Sequence, residues 1–258
     1  MQKRYIYFVT FIGVFFCLLW LLGLGLAVGE YYAGKPDIVP QKSEVQSNLE
    51  RKDKFMVVAL GDSLTRGTGD ETGKGYVGTV VDELKEKTQG TVQLTNLGIN
   101  GQNSDQLREQ VQQTEVGRQI QRADLILVTI GGNDLFRGGQ GLMEFQAENV
   151  EVIEKKYLEN LAFIFKQIRK QNQEATVFFV GLYNPFIELE EGEEISKVIR
   201  RFNYQSAEVS AAYEKIIFVP TFDLFELQVN DYLYSDKFHP NTEGYRLIAE
   251  RVASLAAW

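Results

Sequence analysis

The chain has 258 residues, of which 44% are hydrophobic and 24% are charged, a composition typical of a globular protein. Its formal net charge is −8, and beyond residue 54 the chain carries 20 Lys and Arg against 30 Asp and Glu. The average field of such an acidic domain repels nucleic acid and anionic lipid headgroups, so nucleic acid is not expected as its partner, whereas a small-molecule, lipid or glycan ester stays open as its substrate.

The first 29 residues differ from the rest of the chain. Lys3 and Arg4 are followed by a run without charge, Tyr5 to Gly29. As a helix this run would extend roughly 38 Å, enough to cross a hydrocarbon core about 30 Å thick. It is longer than the roughly 7–15 apolar residues of a signal peptide, although residues 27–29 offer a peptidase small side chains. We therefore predict an uncleaved transmembrane anchor or, alternatively, a cleaved signal peptide, with the rest of the chain outside the cytoplasm.

Residues 30–54 are expected to be a linker, because they are polar, mixed in charge and contain Gly34, Pro36 and Pro40. The single cysteine, Cys17, lies inside the apolar run and is interpreted as a small apolar residue. The predicted exported part therefore has no thiol and no disulfide. Residues 55–258 remain as one domain.

From residue 55 onward, short apolar runs alternate with polar segments that have helical spacing. The runs are continuous, which is typical of strands buried on both faces. The alternation predicts an α/β fold in which a five-stranded, mainly parallel sheet lies between two layers of helices. Strands are predicted at 55–60, 91–97, 124–130, 175–182 and 216–220, and helices at 76–88, about 103–121, about 144–172, about 194–214 and 241–256, the last capped by Asn241 or Thr242.

Small and polar residues collect after four of these strands, at the edge where α/β proteins hold their functional groups. A serine hydroxyl needs an adjacent base to act as a nucleophile, and His239 is the only histidine in the chain. Asp236 precedes His239 by three residues, so one turn brings its carboxylate to the imidazole. The segments after the strands read GDSL at 61–64, NGQNS at 100–104, GGND at 131–134 and DKFH at 236–239.

Acyl transfer also requires hydrogen-bond donors for an oxyanion. The backbone N–H of Ser63, the N–H of Gly101 and the side-chain amide of Asn133 are the candidate donors. Gly98 is a rival to Gly101 as the backbone donor in this segment. Three further residues are candidate substrate contacts: Asp62, Arg66 and Asp134.

These four segments resemble the motifs of the GDSL-type, or SGNH, hydrolase superfamily, over residues 56 to about 253. The resemblance implies a flavodoxin-like three-layer α/β/α sandwich and no cofactor. It implies that Ser63 is the nucleophile, His239 the base and Asp236 the group that orients it. It also implies that Ser63, Gly101 and Asn133 form the oxyanion hole.

Two other interpretations of the sequence are disfavoured. The glycine-rich segment 67–75 departs from a phosphate-binding loop at Thr68 and Gly75, so it is predicted to be a mobile loop bordering the site. Metal catalysis is disfavoured, because one histidine and no cysteine in the predicted exported part leave mainly carboxylates as ligands. The acidic segment 188–194 is predicted to be a solvated loop and helix start that could act as a lid.

The sequence therefore predicts a serine hydrolase of carboxylic esters, either lipase- or lysophospholipase-like, acting through an acyl-enzyme. Two alternatives stay open. One is an O-acetylesterase that acts on a cell-envelope polysaccharide. The other is a ligand-binding relative that has lost turnover, against which the intact Ser63, Asp236 and His239 argue.

Overall fold

The computed structural model describes residues 13, 15–25, 54–88, 90–136 and 147–256. Residues 1–50 and 51–258 are two separate compact units. In the first unit, residues 15–25 are helical with exposed apolar side chains. Among the described residues, no helix has the length and hydropathy needed to span a membrane. Most of the predicted anchor and nearly all of the predicted linker lie outside the described residues.

The second unit is built on a parallel sheet of five strands in the order β2-β1-β3-β4-β5. All four strand pairs are parallel, as the sequence predicted. The carboxyl ends therefore share one edge, and the chain order reverses direction between β1 and β3. The strands are β1 (Lys54–Gly61), β2 (Thr91–Asn96), β3 (Leu125–Thr129), β4 (Thr176–Val180) and β5 (Ile216–Val219).

Ten helices are described in this unit. Those that follow the first three strands are α1 (Ser63–Arg66), α2 (Gly75–Lys87), α3 (Ser104–Gln110), α4 (Thr114–Arg122), α5 (Gly132–Phe136) and α6 (Ala147–Gln171). Those that follow β4 and β5 are α7 (Gly192–Ala211), α8 (Phe222–Glu226), α9 (Val229–Tyr232) and α10 (Thr242–Leu255).

The sheet is buried on both faces, which explains the continuous apolar runs. Along β1, Val58 and Leu60 pack into a core formed with α3, α4, α6 and α7. Val57 and Ala59 point the other way, into a core formed with α2 and α10. The three-layer sandwich is thus confirmed, with a buried core on each face of the sheet.

The structure differs from the sequence prediction mainly between residues 103 and 122. The single helix expected there is two helices, separated by turn residues 111–113. Polar Gln112 and Gln113 close this turn with N–H donations to the carbonyls of Glu109 and Gln110. The sequence did not reveal this break, because a turn of three residues nearly preserves the helical spacing of apolar residues from one helix to the next.

Candidate active site

Ser63 lies at the point where β1 gives way to α1. Gly61 ends the strand with φ +131°, and Asp62 then caps α1 by accepting a hydrogen bond from Leu64 N at 3.1 Å. Gly67 ends the helix in the left-handed region, with φ +86°. The serine is only 5% exposed and occupies the first position of the helix, where the free N–H groups favour negative charge.

The structure brings Ser63, His239 and Asp236 together, although 176 residues separate Ser63 from His239. The distance from Ser63 Oγ to His239 Nε2 is 2.8 Å, and that from His239 Nδ1 to Asp236 Oδ2 is 2.6 Å. Both nitrogens of the imidazole are thus within hydrogen-bond reach of a partner. The side chain of His239 is 16% exposed and that of Asp236 is 38% exposed, so solvent reaches the Asp236 end of this hydrogen-bonded series.

The turn that carries His239 is held by the same carboxylate that orients the ring. Asp236 Oδ1 accepts hydrogen bonds from the N–H groups of Phe238 and His239, at 3.0 and 2.9 Å. Lys237, between Asp236 and Phe238, has φ +56°. Burial raises the pKa of Asp236, but its hydrogen bonds with His239 and Phe238 outweigh this effect and lower the pKa below its usual value. Asp236 is therefore ionised at neutral pH.

A buried polar network beneath Ser63 joins the end of β1 to the end of β3. Thr129 Oγ1 donates to Asp62 Oδ1 at 2.7 Å and lies 2.7 Å from Thr65 Oγ1. Burial raises the pKa of Asp62, against the lowering effect of its hydrogen bonds with Thr129 and Leu64. Sequence analysis missed both threonines. The only signal was that each is a polar residue within or beside an apolar stretch.

The two other predicted oxyanion donors follow β2 and β3, the two strands that flank β1. Gly101 has φ +75°, and a side chain added there would meet no atom within 4 Å, so its backbone borders open space. A Cβ on Gly98 would instead lie 2.8 Å from the Thr65 side chain. This difference supports the choice of Gly101. The Asn133 amide donates one hydrogen bond to the carbonyl of Gln102 at 2.9 Å, which leaves its second N–H.

The three candidate substrate contacts have different surroundings. Asp62 is 3% exposed and lines a pocket beside the serine. Asp134 is half-buried, and its carboxylate accepts hydrogen bonds from Ser104. Arg66 is exposed and lines a separate groove between α2 and β2, with Lys74 and Lys85. Direct contact of these residues with a substrate stays a prediction.

The pocket beside Ser63 is lined by the chain neighbours of the predicted catalytic groups. Its walls come from the ends of β1, β3 and β4 and from the histidine turn, and they are largely apolar. Phe238 packs edge-on against His239, with ring centroids 5.0 Å apart. The main apolar lining residues are Leu64, Ile130, Phe136, Leu182, Pro185 and Phe238.

Tyr183 is a further residue at this edge that sequence analysis did not identify as part of the site. It follows β4 and donates a hydrogen bond from its hydroxyl to the carbonyl of Phe238 at 2.6 Å. Its ring stacks on Phe225 at 4.2 Å. The fourth strand thus supports the turn that carries His239, and burial raises the pKa of Tyr183 well above its ordinary value.

The loop at 67–75 borders the site, as predicted, and Asp70 anchors it through several hydrogen bonds; its mobility stays a prediction. Asp70 accepts hydrogen bonds from Thr72, from the N–H groups of Lys74 and Gly75, and from Thr242 Oγ1 of α10. A Cβ on Gly69 would lie 3.0 Å from that of His239. The loop therefore packs against the histidine turn and is tied to α10.

Replacing Asp70 with Asn is expected to lower the free energy of unfolding at pH 7 by about 1–2 kcal/mol, since hydrogen bonds to a charged acceptor are lost. Burial raises the pKa of Asp70, but its hydrogen bonds with Thr72 and Thr242 lower it to about 2. Because the folded-state pKa is depressed, the stabilisation is present above pH ~4 and is lost as the pH falls toward 2. Urea unfolding of both proteins at pH 7 and pH 2.5 measures this.

The matched control for Asp70 is Glu71→Gln, which removes a charge from the exposed neighbouring position. It should leave the unfolding midpoint unchanged at both pH values. An Asp70→Asn protein that is as stable as the wild type at pH 7 would contradict the role given to this loop.

Two remaining expectations concern metals and a lid. Within the described ranges, no group of three or more His, Cys, Asp or Glu side chains is arranged to hold a metal ion. The acidic segment 188–194 runs into α7, whose first turn carries Glu193 and Glu194, both paired with Lys197. The solvated loop and helix start are as predicted, and the lid stays a prediction.

Comparison with known proteins assigns this arrangement to a family. The model of the GDSL-like Lipase/Acylhydrolase family matches residues 59–247, which include all four motifs. The chain therefore belongs to this family and is an ester-hydrolysing enzyme. The family match includes the end of β1, the other four strands and all the predicted site residues.

Individual proteins show the same similarity. The uncharacterized protein YpmR of Bacillus subtilis is 37% identical over 206 residues, covering 78% of this chain and 81% of YpmR. The spore germination lipase LipC of Bacillus licheniformis is 26% identical over 200 residues, covering 75% and 92%. The crystal structure of the lipase Lip_vut3 from a goat rumen metagenome superposes with a TM-score of 0.70 at 25% identity, covering 78% of this chain and 96% of that one.

Proposed function

We propose that this enzyme hydrolyses carboxylic esters through a covalent acyl-enzyme formed on Ser63. The observation that carries the proposal is the continuous hydrogen-bonded chain from Ser63 Oγ through the His239 imidazole to Asp236, with distances of 2.8 and 2.6 Å. A serine within reach of a base that is itself oriented by a carboxylate is the arrangement that nucleophilic acyl transfer requires.

In the first half of the reaction, Ser63 Oγ attacks the ester carbonyl carbon while its proton passes to His239 Nε2. The ionised Asp236 stabilises the imidazolium that forms. The carbonyl oxygen becomes an oxyanion, which the N–H groups of Ser63 and Gly101 and the Asn133 amide stabilise. When the tetrahedral intermediate collapses, the bond to the alcohol oxygen breaks and His239 donates its proton to that oxygen.

In the second half, a water molecule takes the place of the alcohol. His239 accepts one water proton while the oxygen attacks the acyl carbon, and a second oxyanion forms in the same hole. Collapse breaks the bond between the acyl carbon and Ser63 Oγ and returns the proton to the serine. The products are one carboxylic acid and one alcohol per ester consumed.

The acyl group is proposed to enter the pocket next to Ser63, which makes a lipase-like preference for aliphatic chains the favoured specificity. The lining side chains of Leu64, Ile130, Phe136, Leu182 and Phe238 offer apolar contact and few hydrogen bonds. The similarity to proteins described as lipases supports the same choice.

The proposed location is the outer face of the cell membrane, with the N-terminal segment as a single-pass anchor, or outside the cell if the segment is cleaved. This rests on the uncharged run after Lys3 and Arg4. Carbonate extraction of cell membranes tests it, since an anchored protein stays in the membrane pellet. Release into the supernatant at the full-length mass would contradict the anchor.

Labelling with a fluorophosphonate probe tests the proposed chemistry. Wild-type protein should be labelled on Ser63 and should hydrolyse p-nitrophenyl esters, whereas Ser63→Ala should do neither. Wild-type protein that resists the probe and all esters between pH 6 and 9 would overturn the proposal. A series of esters from acetyl to palmitoyl then measures specificity, and a sharp acetyl preference would favour the O-acetylesterase alternative over the lipase-like one.

A further inference from the structure

The Asp134 carboxylate bridges two segments that the chain order keeps apart. It lies in α5, directly after Asn133, and it faces Ser104, the first residue of α3. Asp134 Oδ2 accepts a hydrogen bond from Ser104 N at 3.0 Å, and Oδ1 accepts one from Ser104 Oγ at 2.5 Å. The bridge thus joins the loop after β2 to the loop after β3.

Ser104 is held in one orientation by a second group. Asn160 of α6 donates from Nδ2 to Ser104 Oγ at 3.0 Å, so the serine hydroxyl accepts there and its own proton points to Asp134. Arg108 fixes the Asn160 amide in turn, by donating to Oδ1 at 3.0 Å. The contact between Asp134 and Ser104 is therefore part of a connected network, which rigidifies a site more than an isolated pair does.

The residues at the two ends of this bridge are next to the proposed oxyanion donors. Ser104 follows Gly101 by three residues, and Asp134 follows Asn133 directly. A second tie runs parallel to the bridge, since Asn133 Nδ2 donates to the carbonyl of Gln102 at 2.9 Å. Two hydrogen-bonded connections thus set the spacing between a backbone donor on one loop and a side-chain donor on the other.

We propose that Asp134 is a positioning residue for ester hydrolysis, whose carboxylate fixes the Gly101 N–H and the Asn133 amide at the separation that an oxyanion requires. In this role it acts through Ser104 and Asn133, and no contact with the substrate is required. The inference rests on the proposed function, because an oxyanion hole matters only if Ser63 forms a tetrahedral intermediate. Misplacing a group in an active site by about 1 Å can cost about 100-fold in rate.

The bridge requires a carboxylate rather than an amide. Ser104 presents two donors, its N–H and its hydroxyl, and an ionised carboxylate offers one oxygen to each. Asn at position 134 would keep the volume but would turn an N–H₂ group toward one of these donors. The shape of the site would persist while the spacing of the two loops would no longer be defined.

The ionisation of Asp134 is sensitive to pH. Burial raises its pKa to about 6, although the hydrogen bonds with Ser104 lower it. Two nearby carboxylates, Asp105 of α3 and Asp62 at the end of β1, raise the pKa of Asp134. Lys156 and the buried phenol of Tyr157, both on α6, also interact with it electrostatically. Because the folded-state pKa is raised, folding favours the protonated form. The stabilisation from this group is therefore present below pH ~4 and is lost as the pH rises through about 6.

The test compares Asp134→Asn with wild type in steady-state hydrolysis of a p-nitrophenyl ester at pH 8. We expect kcat to fall about 10- to 100-fold with little change in KM, because ground-state binding does not use the oxyanion hole. The melting temperature of Asp134→Asn at pH 8 should not be lower than that of the wild type, since the buried, ionised carboxylate of Asp134 disfavours folding at this pH. A second variant, Ser104→Ala, removes one of the two donors and should show a smaller loss in kcat.

The pH profile separates positioning from a structural role. The ratio of wild-type to Asp134→Asn activity should be largest above pH 7 and should shrink as the pH falls through about 6, where wild-type Asp134 gains a proton. Glu109→Gln, which removes a charge from an exposed position on α3, is the control and should show no change in kcat. A ratio that does not vary with pH would overturn the inference.

The outcomes distinguish this inference from the proposed function. If wild-type protein hydrolyses esters in a manner that depends on Ser63, and both Asp134→Asn and Ser104→Ala keep the wild-type kcat, the positioning role is wrong and the proposed function stands. If wild-type protein hydrolyses no ester, the proposed function is wrong and the positioning role falls with it. If Asp134→Asn does not fold, the kcat of Ser104→Ala decides, and an unchanged value would overturn the inference.

Discussion

His239→Ala is expected to lower kcat/KM for ester hydrolysis by about 10⁴-fold or more, the loss seen when a serine hydrolase loses its base. The reason is that Ser63 Oγ has His239 Nε2 as its partner at 2.8 Å, and the chain has no second histidine to replace it. A serine without a base attacks only as the neutral hydroxyl, which is a weak nucleophile. Steady-state hydrolysis of a p-nitrophenyl ester measures the loss.

Two controls make the result for His239 specific. Ser63→Ala should be about as inactive, and the double variant should lose little more, because the two residues act as one unit. Circular dichroism and the melting temperature of His239→Ala should stay close to wild type, since the ring is partly exposed at the rim of the site. Activity of His239→Ala within tenfold of wild type would contradict the assignment of His239 as the base.

Much of the fold was predictable because both faces of the sheet are covered. Burial on two sides produces continuous apolar runs such as LILVT at 125–129, and these stand out against the polar helices between them. Five predicted strands correspond to five observed strands, with ends shifted by one or two residues. The short helices α8 and α9 were not predicted, since elements of four or five residues leave no periodic pattern.

The structure brings the three predicted triad residues together. They could be predicted from the sequence because each stands at a strand end or a turn, where polar residues interrupt an apolar sequence. The residues that support them were harder to predict. Thr129 occupies an ordinary strand position and Tyr183 an ordinary core position, and their hydrogen bonds to Asp62 and to the Phe238 carbonyl are contacts over 67 and 55 residues. No local pattern encodes a pairing at such distances.

Gly61→Ala is expected to reduce the free energy of unfolding by about 3–5 kcal/mol, from backbone strain and overpacking together. Gly61 pairs with Thr129 in the sheet and has φ +131°, a region that L-residues with a side chain rarely adopt. An added Cβ would lie 1.9 Å from the Thr129 carbonyl oxygen and 2.8 Å from its hydroxyl. Chemical denaturation of the two proteins measures the loss.

The control for Gly61 is Gly73→Ala, which shares a positive φ, +69°, but has no atom within 4 Å of the added Cβ. It should cost only about 1 kcal/mol, the strain of the left-handed conformation without a clash. Since the same Thr129 accepts the N–H of Asp62, relief of the clash would move Ser63, so any folded Gly61→Ala protein should also react more slowly with fluorophosphonate. If the two variants were equally stable, β1 and β3 could separate at Gly61 without a cost in free energy. The close approach of Gly61 to Thr129 would then not be needed for folding.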